Sequence, residues 1–236
     1  MTKPETSNRT VLITGGTGAL GRGVTMQMID AGYRVLVTWI VEREADAART
    51  AFGDAVELVH LDVGDAAAVA ATAARIDAEG GLWGLVHLVG GFLADRPVVA
   101  MELDEWDRMM ALNVRSFASL LHAFLPGMLT RGEGRVVGVG TRAAFAPFAG
   151  GSAYAASKAA LLALVHAASE ETKHHGICIN AIVPSVIDTP ANRAAMPDAD
   201  HERWVDPGDI GAVIRFLCSD EARAVTGAAI PVYGRA

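Results

Sequence analysis

The side chains with the clearest chemical potential are a tyrosine and a lysine four residues apart, Tyr154 and Lys158. In a helix, this spacing places both side chains on one face, with the amine near the phenol. A free phenol ionises at about pH 10, and a neighbouring ammonium favours the phenolate and lowers the pKa. The pair therefore predicts a group that takes or delivers a proton at an alcohol or carbonyl oxygen near neutral pH.

A glycine cluster near the start of the chain predicts a nucleotide-binding turn. The stretch Thr14-Gly-Gly-Thr-Gly-Ala-Leu-Gly21 follows an apolar run and precedes a helix-like segment. Glycine lets the backbone turn tightly and approach a pyrophosphate, which then faces the helix N-terminus. A P-loop would need a Lys and a Ser or Thr where this chain has Arg22 and Gly23, which excludes an ATPase or kinase. The cofactor contacts predicted in the turn are Gly15, Thr17, Gly18, Ala19, Leu20 and Gly21.

The sequence leaves the choice between NAD(H) and NADP(H) open. A carboxylate about 20 residues beyond the glycines holds the ribose of NAD, whereas an Arg accommodates the 2′-phosphate of NADP. The second apolar run ends Thr38-Trp39-Ile40-Val41, with no charge before Glu42 and Arg43. Trp39 either belongs to the core or flanks the adenine. Both nicotinamide cofactors are compatible with this segment.

Apolar runs alternate with helix-like segments along the whole chain. Several runs are apolar at consecutive positions, which suits strands covered on both faces. The predicted strands are 10–14, 34–41, 56–60, 84–89, 135–140, 177–183 and 229–232, and the predicted helices are 19–31, 42–52, 65–79, 103–130, 152–174 and 207–218. The alternation predicts an α/β fold, a single doubly wound Rossmann-fold domain with a parallel sheet of about seven strands. We expect this domain at 9–236, after a polar N-terminal tail at 1–8, with an irregular substrate loop at about 189–206.

Composition excludes several classes of protein. With 51% hydrophobic and 20% charged residues, the chain has a large core and is not disordered. A formal charge of −7 argues against a nucleic-acid partner. No apolar stretch approaches the ~18 residues of a membrane span, and the polar start lacks a signal core. Two cysteines without paired-ligand spacing argue against a metal site, and we expect a reduced, cytoplasmic protein.

Together, the glycine turn and the Tyr–Lys pair give the chain a resemblance to the short-chain dehydrogenase/reductase family, in its single-domain type. The resemblance extends from Arg9 to Gly234 and includes Leu61-Asp62-Val63, Leu112-Asn113-Val114, Asn180-Ala-Ile-Val-Pro184 and Val225-Thr226-Gly227. It implies NAD(H) or NADP(H) as cofactor. It also implies a small-molecule substrate and a homotetramer or homodimer, built through the helices around 103–126 and 152–174.

The resemblance implies roles for individual residues. Asn113 would sustain a water-linked proton relay, and Lys158 would also hold the nicotinamide ribose. Asp62 would meet the adenine amino group, with Val63 packing on the ring. The remaining cofactor contacts implied by the resemblance are Gly90, Gly91, Pro184, Val186, Ile187 and Thr189.

The chain departs from the family pattern at two positions near the expected site. His87-Leu-Val-Gly90 stands where the family has Asn-Asn-Ala-Gly, and we interpret His87 as a strand-end residue hydrogen bonded in place of the Asn. Thr141 stands where the family has its substrate-orienting Ser. Its hydroxyl can still donate to a carbonyl oxygen, while the extra methyl narrows the pocket. We predict that Thr141 is a working substitute.

These residues predict an oxidoreductase that transfers a hydride between a nicotinamide and a ketone or secondary alcohol, with carbonyl reduction as the leading hypothesis. Two alternatives are a pteridine- or dihydropteridine-type reductase and a non-catalytic dinucleotide-binding redox sensor. The substrate would lie beyond the carboxyl ends of the fourth to sixth strands, where open α/β sheets bind ligands. The pocket is predicted to be apolar and aromatic, suited to an uncharged compound, and to include Phe92, Phe145, Phe148, Gly151, Met196 and Trp204.

Overall fold

Seven parallel strands form the centre of the molecule, in a computed structural model that describes residues 5–235. Their order across the sheet is β3-β2-β1-β4-β5-β6-β7, so the chain reverses its direction of winding between β1 and β4. This doubly wound sheet confirms the predicted Rossmann fold. The strands are β1 (Thr10–Thr14), β2 (Arg34–Trp39), β3 (Val56–His60), β4 (Gly84–His87), β5 (Gly134–Val139), β6 (Ile177–Pro184) and β7 (Ala229–Val232).

Helices cover both faces of the sheet. They are α1 (Ala19–Asp30), α2 (Glu42–Phe52), α3 (Ala66–Ala78), α4 (Leu103–Met110), α5 (Ser116–Arg131), α6 (Ser152–Thr172), α7 (Pro190–Ala195) and α8 (Pro207–Leu217). Residues of α3, α5 and α6 form the core on one face, and residues of α1 and α8 form the core on the other. The central strands are therefore apolar on both sides, as their consecutive apolar residues predicted.

Short polar side chains begin several of these helices. Asp65 accepts hydrogen bonds from two backbone amides at the start of α3, at 2.9 and 3.1 Å. Asp206 caps α8, whose first residue is Pro207, and Thr189 caps α7. These caps accept hydrogen bonds from backbone amides that have no partner within the helix. Proline at the first position breaks no hydrogen bond, because the amide of that position has no partner within the helix.

The helix predicted over 103–130 is interrupted. A π-helical turn at Ala111–Arg115 separates α4 from α5. Such a turn accommodates an extra residue and is frequent at functional sites. Here it carries Asn113, whose side chain is completely buried.

Two strand ends and the loop after β6 also differ from the prediction. β2 ends at Trp39 and β4 at His87, each two residues before the predicted end, because the chain leaves the sheet there to form loops. The loop predicted to be irregular contains α7 and a 3-10 turn at His201–Arg203. Val205 also pairs with Ile187, which ties the end of this loop back to its beginning.

The predicted N-terminal tail is described only in part, because residues 1–4 lie outside the described residues. Residues Glu5–Asn8 form a 3-10 turn. Within 5–235, no helix combines the length and apolarity needed to cross a membrane.

Candidate active site

The glycine turn lies at the carboxyl end of β1, in the middle of the sheet. Gly15 adopts a φ of +72°, and its amide donates to the Thr38 hydroxyl at 3.2 Å. A Cβ on Gly21 would collide with the Gly15 carbonyl oxygen, so only glycine lets the turn close this tightly. Gly18 caps α1 without a side-chain hydrogen bond. The first amides of α1 are therefore free to face an anionic pyrophosphate, and the turn fits a dinucleotide.

The adenosine side of the turn is bordered by the ends of β2 and β3. Trp39 is half-buried, and its ring contacts His60 edge-on with centroids 4.6 Å apart. Val63 is buried, whereas Asp62 is exposed and accepts from the Gly64 amide at 2.8 Å. One Asp62 carboxylate oxygen is thus already engaged by its own loop, and the other is the one that could meet an adenine.

Asn113 is fixed by three hydrogen bonds to oxygen and nitrogen atoms, besides a longer contact with the Met109 sulfur at 3.9 Å. Its side-chain oxygen accepts from the Gly91 amide at 2.9 Å, and its amide group donates to the Gly91 carbonyl at 3.1 Å. The same amide group donates to the Ser157 hydroxyl at 2.9 Å. Ser157 in turn donates to the Tyr154 backbone carbonyl at 2.8 Å. Asn113 therefore joins the loop after β4 to the part of α6 that carries the Tyr–Lys pair.

Lys158 and Asn113 converge on the backbone of Gly90. A Cβ on Gly90 would lie 2.7 Å from Asn113 Oδ1 and 3.1 Å from Lys158 Nζ. The ammonium of Lys158 donates to the Val139 carbonyl at 2.8 Å, and its side chain is only 5% exposed. Burial lowers the pKa of Lys158 to about 8, because the charged form loses its hydration.

Tyr154 lies beside Thr141 and Phe92. The Phe92 ring packs edge-on against the Tyr154 ring, with centroids 4.9 Å apart. Burial raises the pKa of Tyr154, and the Thr141 hydroxyl offsets part of the rise. The prediction that Lys158 lowers this pKa is therefore wrong for the chain by itself. The lysine is desolvated and its ammonium is hydrogen bonded to the Val139 carbonyl.

His87 is the last residue of β4, and both its ring nitrogens have partners. Nδ1 lies 2.7 Å from the Thr14 hydroxyl, and Nε2 lies 3.1 Å from the Ser116 hydroxyl. The Ser116 hydroxyl donates its only proton to the Leu112 carbonyl at 2.6 Å. It must therefore accept a hydrogen bond from the protonated Nε2 of His87. Nδ1 then accepts from Thr14. Burial lowers the pKa of this imidazole to about 3, helped by the charge of Lys158, and the ring is neutral.

The six residues predicted to line a substrate pocket fall into two groups. Phe92, Phe145 and Phe148 are 66%, 61% and 47% exposed, and a Cβ on Gly151 would touch the Phe148 ring. Met196 and Trp204 instead contact His201, through a backbone hydrogen bond of 2.9 Å and a ring contact at 4.3 Å.

The segment after β6, predicted to line the nicotinamide, is held by backbone hydrogen bonds. The Val186 carbonyl accepts from the Val205 amide at 2.9 Å. Thr189 accepts from the Asn192 amide at 3.2 Å, which leaves its hydroxyl proton free for a ligand. Pro184 is buried at the end of β6, and Ile187 is half-buried.

Sequence reasoning missed three polar residues of this region: Glu44, Ser116 and Ser157. Glu44 accepts from the Thr17 hydroxyl at 3.0 Å, 27 residues away in the chain. Ser116 and Ser157 bond His87 and Asn113. Serines in helices carry no chemical signal by themselves, and only the packing of α5 and α6 reveals their partners.

The fold and the site define a dinucleotide-binding oxidoreductase of the Rossmann type, with a Tyr–Lys pair at the carboxyl edge of the sheet. A family model described as enoyl-(acyl carrier protein) reductase matches residues 16–234. The chain belongs to the short-chain dehydrogenase/reductase family, whose members are oxidoreductases that use NAD(H) or NADP(H).

Three known proteins illustrate this relationship. The chain is 31% identical to 2,5-dichloro-2,5-cyclohexadiene-1,4-diol dehydrogenase of Sphingobium indicum, over 97% of this chain and 96% of that one. It is 32% identical to a 3-oxoacyl-[acyl-carrier-protein] reductase of Pseudomonas aeruginosa, over 96% of each chain. The crystal structure of levodione reductase superposes with a TM-score of 0.89 at 27% identity, covering 97% of both chains.

Proposed function

We propose that this protein is a carbonyl reductase or alcohol dehydrogenase, in which Tyr154 exchanges a proton with the substrate oxygen. The convergence of Asn113 and Lys158 on the Gly90 backbone, beside the α6 turn that carries Tyr154, is the observation that carries this proposal. The nicotinamide cofactor supplies or accepts the hydride at the substrate carbon.

Each polar group of the site has a defined role in carbonyl reduction. Tyr154 donates its phenolic proton to the developing alkoxide, and the Thr141 hydroxyl donates a hydrogen bond to the same oxygen. These two donors stabilise negative charge where it forms. Asn113 and Lys158, which converge at Gly90, together connect the phenolate that remains to water for reprotonation. In alcohol oxidation the same steps run in reverse.

The substrate is an uncharged, hydrophobic carbonyl or alcohol compound. Phe92 contacts Tyr154 directly, and Phe145 and Phe148 leave much of their ring surface exposed. Covering aromatic surface of this kind with an apolar ligand is favourable, because it removes the surface from water. The diol dehydrogenase of Sphingobium indicum acts on an uncharged ring diol, which agrees with this substrate class.

Replacing Tyr154 by Phe tests the acid–base assignment. We expect kcat/KM with a neutral ketone to fall by about 10²–10⁴-fold, the usual contribution of a general acid. The matched control is Tyr233→Phe, which keeps the ring that Arg142 packs on, 5.3 Å away. Wild-type rates in Tyr154→Phe would exclude the mechanism.

A substrate panel separates the alternatives. Turnover of a dihydropterin but of no ketone would favour a pteridine-type reductase, and binding of cofactor without any turnover would favour a redox sensor. We expect ketone-dependent oxidation of the reduced cofactor, because a sensor has no need of Asn113, Tyr154 and Lys158 together.

A further inference from the structure

Glu44 is the one carboxylate that the structure brings to the glycine turn through a direct hydrogen bond, as far as residues 5–235 show. It lies in the first turn of α2, and its Oε2 accepts from the hydroxyl of Thr17 at 3.0 Å. Thr17 is 3% exposed and occupies the middle of the turn. The bond therefore joins the β1–α1 turn to the helix that follows β2.

The expected path of the adenosine passes this carboxylate. In a Rossmann fold the pyrophosphate binds at the glycine turn and the ribose is held near the end of β2. The end of β2 is marked by Trp39, against which the His60 ring packs. The ribose connects the pyrophosphate to the base, so it lies between Thr17 and Trp39. Glu44 spans the same interval, since it follows β2 in the chain and is bonded to Thr17.

We propose that Glu44 makes the protein select NAD(H) over NADP(H). Thr17 occupies Oε2, which leaves Oε1 to accept a hydrogen bond from a ribose 2′-hydroxyl. A 2′-phosphate in the same place offers no donor at neutral pH and brings negative charge against the carboxylate. Contact between two like charges at a binding site weakens binding, so the carboxylate should lower the affinity for NADPH.

Two of the nearby cations, Arg49 and Arg22, are held by other groups, while Arg43, next to Glu44 in the chain, is exposed. Arg49, whose guanidinium lies 5.7 Å from the Trp39 ring, is committed to Glu42 at 2.7 Å and to Asp46 at 2.6 Å. In the part of the chain that the structure describes, Glu44 itself has no ion-pair partner. Arg22 donates from Nε to the Thr17 carbonyl at 3.4 Å, so its guanidinium is held on the α1 side of the turn.

Binding titrations without substrate test this proposal independently of the reaction. Energy transfer from the tryptophans to the reduced nicotinamide gives Kd for NADH and for NADPH. We expect the wild type to bind NADPH at least about tenfold more weakly than NADH, which corresponds to about 1.4 kcal/mol. Glu44→Gln keeps the side-chain size and removes the charge, and we expect the ratio of the two Kd values to approach one, mainly through tighter NADPH binding.

Glu42→Gln is the matched control. Glu42 lies in the same helical turn but is paired with Arg49, and Arg49 keeps Asp46 as a partner when Glu42 is replaced. We therefore expect Glu42→Gln to leave the ratio of the Kd values unchanged. Glu44→Arg should reverse the preference, and thermal melting establishes that each variant is folded. Equal or tighter binding of NADPH by the wild type would overturn the proposal and indicate that Arg22 or Arg43 receives the phosphate. An unchanged ratio in Glu44→Gln would overturn it as well.

Discussion

The imidazole Nδ1 of His87 lies 2.7 Å from the hydroxyl of Thr14, so the last side chains of β4 and β1 are hydrogen bonded to each other. Thr14 immediately precedes the glycine turn, and His87 precedes the loop that contains Gly90. A neutral ring therefore links the two backbone segments that are predicted to contact the cofactor. Phe117 stacks on the ring at 5.4 Å, which completes its burial.

Acid should weaken the folded state through His87. Its pKa is about 3 when folded and about 6.5 when unfolded, so the unfolded chain binds the additional proton between these values. The free energy of unfolding therefore falls as pH decreases from about 6.5, with a slope from this residue of up to about 1.4 kcal/mol per pH unit. Urea unfolding of wild type and His87→Asn, above the range where carboxylates titrate, isolates the effect. Parallel pH profiles of the two proteins would contradict this prediction.

In the absence of ligand, Lys158 should lower the free energy of unfolding. Its pKa is lowered to about 8 by burial, so at neutral pH the folded chain holds a desolvated ammonium. The cost is fully present below about pH 8 and disappears above the unfolded pKa of about 10.4. We expect Lys158→Met to raise Tm at pH 7, to raise it less in alkali, and to abolish turnover. Lys173→Met, which removes an exposed lysine paired with Glu170, should raise Tm at neither pH.

Ser157 should act as a positioning residue for Asn113. Without its hydroxyl, the Asn113 amide loses an acceptor at 2.9 Å beside the Tyr–Lys pair. We expect Ser157→Ala to lower kcat about tenfold, equivalent to one lost hydrogen bond of about 1.4 kcal/mol, with little change in Kd for the cofactor. The control is Ser169→Ala, since Ser169 also lies buried in α6 and donates to a carbonyl three residues earlier. Equal kcat values in the two variants would argue against the role.

Gly21 should tolerate no side chain, whereas Gly18 in the same turn should tolerate one. A Cβ on Gly21 meets the backbone of Gly15 and Gly16, but a Cβ on Gly18 approaches nothing closer than 3.4 Å. Overpacking against backbone costs about 1–3 kcal/mol or more. We expect Gly21→Ala to lower the free energy of unfolding by at least this amount, while Gly18→Ala stays close to wild type. Chemical denaturation of both variants measures the difference.

The homotetramer or homodimer stays a prediction, as does the cytoplasmic location. Val99 and Leu103, just before and at the start of α4, are 96% and 73% exposed. Large apolar side chains that are this exposed are typical of surfaces covered by a partner. Light scattering coupled to size exclusion should give a mass of two or four chains, and a monomer mass would contradict the prediction.

Much of the fold can be predicted from local sequence, because the spacing of apolar residues that distinguishes strands from helices involves residues close together in the chain. β1, β3 and β7 have the predicted bounds, and α2 begins and ends as predicted. The π turn could not be foreseen, since apolar positions continue through 103–130 and only the packing of Asn113 against Gly91 and Ser157 requires the extra residue.

For the site, the sequence by itself determined which chemical groups are present: a glycine turn for a dinucleotide and a Tyr–Lys pair for proton transfer. These are short-range patterns whose spacing has direct physical meaning. Only the tertiary structure decided how the groups are tuned. Three features depend on contacts between different parts of the chain. They are the burial of Lys158, the neutral state of His87 and the hydrogen bond between Thr17 and Glu44. Desolvation and hydrogen bonding between distant segments exist only once the sheet has brought those segments together.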